Sequence, residues 1–442
     1  MVDSEVFKCS WSFLGKGGLL PVVMVGESGL FLCFWRCSVY EANFRPKLRP
    51  IDIVPLPQQH GRKFLLRDPL GYGEEHLVVG ERVLPLLGLM DGSHDLRDLQ
   101  VAASRAWGKL VFMDTIVQLV GRLDKCLFLD SPYFQQERRR REEEFARQRV
   151  RRSPMAGQGY PARKEELEAF LESLFVSHEG DVSCQGEPPR VLIAPHIDLR
   201  LGGRAFVAAY SAWRNLPPGP RVVILGTGHY LDGLFAFTYK DFETPLGVAR
   251  TDGEFLRALE EATGLDLRAR EWFHRREHSV ELQVLFLQYL MGEAPFTIVP
   301  VLCGGITPEK SQPWEDREFG TVVSALKGLL DDRTYLVAGV DFCHLGTRYG
   351  DSYPARSREA GLALAHDKRL WEAILAREPR AFLEKALEGG NPYKVCGVAP
   401  LFVLLSLLEG RDLEGGLFLQ DVAYMDEGSL VSFSAGGFWD RG

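Results

Sequence analysis

The chain has 442 residues, of which 45% are hydrophobic and 25% charged, enough for two or three globular domains with a sizeable core. Its formal net charge of -8 gives no electrostatic reason to expect nucleic acid as a partner. Eight cysteines (Cys9, Cys33, Cys37, Cys126, Cys184, Cys303, Cys343 and Cys396) share no repeated spacing. That excludes the dense disulfide framework of a small secreted protein and suits a reducing cytoplasm, with individual thiols as ligands.

Residues 1–45 read as a poorly structured lead-in. Leu19 to Trp35 is apolar-rich, but Glu27 and Ser28 interrupt it, so it falls short of the roughly 20 apolar residues that span a bilayer. No membrane association is expected. Cys33 and Cys37 have no second pair with which to complete a zinc knuckle.

Residues 46–133 form a compact first domain. Phe64–Asp68 and His76–Val79 are strand-like, and Val83–Met90 is a short apolar helix ending at Asp91-Gly92. Ser93 or Asp95 caps a second helix with Leu96, Leu99, Ala102 and Ala103 on one face. A third helix, Asp114–Lys125, carries Ile116, Leu119, Val120 and Leu123 at helical spacing, and Cys126–Leu129 closes as a strand. The result is a small α+β, winged-helix-like module. It has no basic recognition helix, so a structural or protein-binding role is expected over DNA binding. The Asp91-Gly92 turn feeding Leu96-x-x-Leu99 resembles the leader-peptide-binding PqqD-like type.

Residues 134–152 come next as a charged linker helix, with opposite charges at i,i+3 and i,i+4 spacing. The second domain spans 153–442. After an amphipathic helix at Lys164–Phe175, apolar strands at Val191–Ala194, Val222–Leu225, Thr297–Leu302 and Leu336–Val340 alternate with helices. The intervening helices are Arg204–Trp213, Phe255–Ala262, Val280–Met291 and Gly320–Leu330, and more helix lies over 355–388 and Val398–Leu408. Continuous apolar strands separated by helices predict an α/β fold whose mostly parallel or mixed central sheet is flanked by helices on both faces.

Polar groups lie just beyond three of those strands. Pro195-His196-Ile197-Asp198 comes after the first, Gly226-Thr227-Gly228-His229 after the second and Asp341-Phe342-Cys343-His344 after the fourth. Parallel strands bring such ends to one edge of the sheet, where ligands bind. Glu277-His278-Ser279-Val280-Glu281 opens a helix, Glu277 suits its dipole, and His278 and Glu281 are spaced to face one side. Cys396 precedes another helix, whose N-terminus favours a thiolate. Each feature alone has an ordinary explanation as a cap, a turn or a core residue. Their shared placement is what points to a site.

The motifs Ala194-Pro-His196, Leu225-Gly-x-x-His229, Glu277-His-Ser-x-Glu281, Ile298-Val-Pro-Val301, Asp341-Phe-Cys-His344 and Cys396-Gly397 occur in the order and spacing of the Memo family, which this chain resembles. That family includes the bacterial AmmeMemoRadiSam system protein B. Arg152–Tyr160 resembles the family's opening stretch and Val431–Gly436 its closing strand. The resemblance implies a fold similar to the class III extradiol dioxygenases. It also implies a metal held by His196, His229 and Cys396, with Asp341 and His344 as further pocket residues; His344 would be the acid/base, oriented by Asp341 and His278. Two imidazoles and a thiolate suit iron(II) or copper, with zinc as a third candidate. The implied role is a cytoplasmic, bacterial redox protein, a metal-dependent oxidoreductase working with a radical-SAM partner or other AmmeMemoRadiSam proteins. A small molecule or peptide would occupy the pocket; the alternative is a non-catalytic peptide- or phosphopeptide-binding module. The chain departs from the common family pattern at Ile197-Asp198, Tyr230 and Gly159. Asp198 would either add a carboxylate near the metal or cap the loop.

Overall fold

The computed structural model describes residues 40–56, 62–178 and 186–441, together with strands β1 (Pro21–Gly26) and β2 (Gly29–Phe34). These two strands pair as an antiparallel hairpin inside the expected lead-in. The rest of that lead-in before residue 40, including Cys37, lies outside the described residues. The chain divides into two compact units, Met1–Arg138 and Arg139–Gly442.

In the smaller unit β3 (Asp52–Pro55), β4 (Lys63–Arg67) and β5 (Leu77–Gly80) form an antiparallel three-stranded sheet. Helices α1 (Leu84–Gly88), α2 (Leu96–Trp107) and α3 (Met113–Lys125) come after it. The Asp95 side chain accepts the amides of Arg97 and Asp98, while Asp98 accepts the Asp95 amide in return. This reciprocal cap fixes where α2 begins. Leu66, Leu86, Leu96, Leu99, Ile116, Val120 and Leu123 then close one core. Cys126–Leu129 is not the expected strand. Leu127 takes a left-handed φ of 60°, which breaks extended backbone, and Leu129 makes only an isolated bridge to Leu48.

Helix α4 (Pro132–Ala146) carries the charged run, with exposed pairs such as Arg140–Glu144. The solvated stretch ends sooner than its composition suggests. Arg151, in the two-residue strand β6 (Val150–Arg151), is 1% exposed.

The larger unit continues through α5 (Lys164–Ser177), β7 (Val191–Ala194), α6 (Leu199–Ser211) and β8 (Arg221–Thr227). Then come β9 (Phe235–Phe237), β10 (Asp241–Thr244), β11 (Gly247–Thr251), α7 (Gly253–Thr263), α8 (Ser279–Met291) and β12 (Thr297–Cys303). Beyond them lie α9 (Arg317–Leu329), β13 (Thr334–Gly339), β14 (His344–Gly346), α10 (Ser357–Ala376), α11 (Pro379–Leu387) and α12 (Val398–Leu408). The long strands β15 (Leu413–Asp426) and β16 (Ser429–Asp440) complete it. Arg377, left-handed at φ 55°, separates α10 from α11 just before Pro379.

One mixed sheet runs β14-β16-β7-β13-β8-β12-β11-β10-β6. Its centre, β7-β13-β8-β12, is parallel, with Ala194 opposite Gly339 and Gly339 opposite Gly226. The antiparallel β16 lies beside β7 and also pairs along its length with β15. Alternate residues of β7 enter opposite cores: Val191 and Ile193 pack with α7, α9 and α12, and Leu192 and Ala194 with α5, α6 and α8. Burial on both faces explains why the central strands are uniformly apolar, and it leaves their C-terminal ends as the place where polar groups gather. Among the described residues no helix is long and apolar enough to cross a membrane.

Candidate metal centre

Three histidines and a cysteine meet at that sheet edge. His196 stands two residues beyond β7 and is 3% exposed. Its Nδ1 lies 2.9 Å from the Gly339 carbonyl at the end of β13. A carbonyl only accepts, so Nδ1 carries the proton and Nε2 is turned into the site. The His196 amide donates to Asp341 Oδ1 at 3.0 Å. Asp341 Oδ2 and Cys396 Sγ each lie 3.6 Å from His196 Nε2.

His229 is set in the same way by a carboxylate. Glu277 Oε2 accepts from its amide at 3.2 Å and from Nδ1 at 2.9 Å. Glu277 Oε1 accepts the amides of His278 and Ser279 at 2.8 and 3.1 Å, capping the first turn of α8. The His278 ring stacks on His229, with centroids 5.2 Å apart and planes 9° from parallel, and stands edge-on to His196 at 5.4 Å. The ligand-competent atoms of His196, His229 and Cys396 all lie within 4.8 Å of one another, and so do those of His229, Glu277 and His278.

The electrostatics are those of an imidazolium–thiolate cluster. Burial opposes the charge on Cys396, but His196, His344 and His229 outweigh it and bring the thiol down to about 5. The neighbouring imidazoles are thus a source of thiolate stabilisation beside the helix start. Burial likewise opposes protonation of His196, yet Asp341 and Cys396 lift it to about 9. In His229, Glu277 and Cys396 overcome burial and hold the ring well above its ordinary value. Despite burial, Glu277 is kept well below the carboxylate range by His229 and His278. His278 goes the other way, down to about 4, because burial and the two neighbouring imidazoles disfavour its charge.

The residues that the sequence singles out separate into those brought together and those not. His196, His229, His278, Asp341 and Cys396 share the cluster. His344, at the start of β14, is positioned by backbone: its Nδ1 meets the carbonyls of Phe342 at 3.0 Å and Lys394 at 3.2 Å. Asp341 and His278, expected to orient His344, instead contact His196 and His229. Glu281 does not share His278's surroundings. It is fully buried against Arg151 and accepts from Ser153 Oγ and, at 2.6 Å, from the Tyr160 hydroxyl. Asp198 caps α6, accepting the Arg200 amide at 2.8 Å, and belongs to neither histidine cluster. The residue that sequence reasoning undervalues is Glu277. At a helix start beside a histidine it reads only as a dipole partner, because its contact with His229 is set by tertiary structure.

Residues 151–433 match the Memo family of Memo-like proteins. The chain belongs to the Memo family. A MEMO1 family protein of Aquifex aeolicus is 29% identical over 403 residues, covering 89% of this chain and 100% of that protein. A MEMO1 family protein of Thermus thermophilus is 31% identical over 318 residues, or 72% of this chain and 90% of the relative. Protein MEMO1 of Rattus norvegicus is 30% identical over 266 residues, 58% of this chain and 84% of the rat protein. The Aquifex match is too long to be confined to the larger unit, so at least this Memo relative extends into the smaller one.

Proposed function

We propose that this Memo protein is a metal-dependent oxidoreductase in which His196, His229 and Cys396 hold one transition metal, iron(II) or copper, with zinc as the non-redox alternative. The observation that carries the reading is the donor set. Two imidazoles have Nδ1 committed to a carbonyl or a carboxylate, and a thiol lies within 4.8 Å of both. Histidine ligands held through the second nitrogen are the usual supporting arrangement of a metal site. Ligation needs both Nε2 atoms and the thiol free of protons, so loading at a pH where any of them is protonated should release protons. Three protein donors leave positions open for substrate or an oxygen species, which is the chemistry such an ion supplies when bound.

The other groups act through their own contacts. Gly339 and Glu277 fix the two rings. His344, with Nδ1 held by two carbonyls, presents Nε2 as a proton acceptor, the role of a general base. The protein would work with the radical-SAM partner implied by the family resemblance, in the cytoplasm. The smaller unit, PqqD-like in its Asp-Gly turn and the helix after it, would supply a protein-binding surface.

Metal content after anaerobic purification tests this. Wild type should hold near-stoichiometric iron or copper, while His196→Ala and Cys396→Ser should lose it. Zinc in its place, with oxygen-independent turnover, would mean hydrolytic chemistry. No tightly bound transition metal in wild type would sink the enzyme reading and leave the peptide-binding alternative. Glu277→Gln should weaken metal binding by about 10–100-fold, the usual cost of losing a histidine's supporting partner. Competition titration with a chromophoric chelator would measure it, and unchanged affinity would remove Glu277 from the site.

A further inference from the structure

We propose that Lys394 and Asp351 form a latch that positions Cys396 and His344 as one unit. The proposal rests on the metal-site reading above. Cys396 lies near the end of a loop, residues 388–397, that turns through several left-handed residues. Gly389, Gly390, Asn391 and Lys394 all take left-handed conformations, at φ 66°, 83°, 57° and 51°. Asn tolerates this region, but Lys disfavours it, so surrounding contacts must impose it at Lys394. Asn391 does so within the loop: its Oδ1 accepts the Val395 amide at 2.9 Å.

The same loop holds His344. The Tyr393 carbonyl accepts the His344 amide at 2.8 Å, and the Lys394 carbonyl is one of the two acceptors at its Nδ1. Two residues on, Cys396 Sγ lies 3.4 Å from the Asp341 carbonyl, which also accepts the Gly397 amide at 3.2 Å. Little space is left for adjustment there, because a Cβ on Gly397 would stand 2.8 Å from that oxygen.

Asp351 belongs to the segment after β14. Its Oδ2 accepts the Gly346 amide at 2.7 Å, and its amide donates to the Gly346 carbonyl at 3.2 Å. Tyr349, in the same segment, stands edge-on to the His344 ring at 5.0 Å. Lys394 Nζ meets Asp351 Oδ1 at 2.6 Å. That one ion pair joins the two segments into a closed circuit from His344 through Gly346, Asp351 and Lys394 back to His344. The pair is half-buried, with the Asp351 side chain 13% exposed. Its value is geometric, because it fixes the backbone carbonyl that sets the His344 ring and the loop that presents the thiol.

The test uses the full chain with cobalt(II) as probe and Lys394→Met, Asp351→Asn and Lys394→Arg as variants. Amide exchange at His344 and Val395 should accelerate about tenfold or more in the first two and stay near wild type in the arginine variant, with exchange in β8 and β13 unchanged. Cobalt affinity should fall about tenfold in the same two variants, with a weakened thiolate-to-cobalt absorption band. Unchanged exchange overturns the latch whatever the metal does. Faster exchange with unaltered cobalt binding overturns its positioning role. Wild type that binds no cobalt counts against the metal reading, and exchange alone then decides the latch. If Lys394→Met does not fold, Asp351→Asn carries the same comparison.

Discussion

Replacing Arg151 with methionine is expected to destabilise the larger unit by about 3–5 kcal/mol, the range for breaking a buried ion pair from one side. The guanidinium is enclosed between Glu281 and two carbonyls: Nε donates to His274 O at 2.9 Å, and a second nitrogen donates to Glu277 O. Its face also lies over the Phe242 ring, 5.0 Å from the centroid. The side chains of Arg151 and Glu281 are 1% and 0% exposed, so solvent cannot compensate the charge left behind. Methionine keeps the stem's packing and removes the charge, which isolates the electrostatic part. Denaturant midpoints for Arg151→Met, Glu281→Gln and the double variant form a cycle, in which the double variant should lose clearly less than the sum of the singles. A loss below about 1 kcal/mol in Arg151→Met would show that the pair is replaceable. Because Arg151 also holds the Glu277 carbonyl, the variant should loosen the carboxylate that sets His229.

Much of the site was legible because its supports are the kind that leave a sequence signature. Strands buried on both faces must be continuously apolar, so β7, β8, β12 and β13 stand out, and the residues just past their C-terminal ends line the edge where ligands bind. His196, His229 and Asp341 are legible from that position, and Cys396 from its place before a helix. Partnerships across the chain left no such signature. Arg151 sits at the end of a run that reads as solvated, and its partner is 130 residues away. The β15–β16 hairpin left no mark in the residue pattern for a different reason, and only the family resemblance pointed to a strand at Val431–Gly436. Its inner strand contains Ser432, Ser434, Gly436 and Gly437, residues that look like loop, yet all are buried. Gly436 is there because a Cβ would stand 2.3 Å from the Trp371 ring of α10. Close approach of a helix to a sheet selects small residues, and small residues mimic a loop in composition.

The same α10 face yields a pH-dependent expectation. Asp367 is fully buried and faces Cys343, whose thiol donates to Oδ1 at 3.0 Å, while Oδ2 has no partner among the described residues. No described Lys or Arg pairs with it, and burial raises its carboxyl from 3.8 to about 7. Its helix neighbour His366 is pushed by burial down to about 4 and so brings no positive charge near neutrality. The folded protein therefore holds a proton that the unfolded chain releases near pH 4. A raised carboxyl pKa costs nothing below the unfolded value, costs progressively more between about pH 4 and 7, and is fully unfavourable above that. At 1.36 kcal/mol per unit, the cost at pH 8 is about 4 kcal/mol. Asp367→Asn keeps an acceptor for Cys343 and never ionises. It should match wild type near pH 4 and exceed it by up to about 4 kcal/mol at pH 8. Urea midpoints taken across that interval give the comparison. A difference between the two proteins that does not change with pH would mean that Asp367 is already ionised in the fold, and that its carboxylate is stabilised by contacts reaching Oδ2.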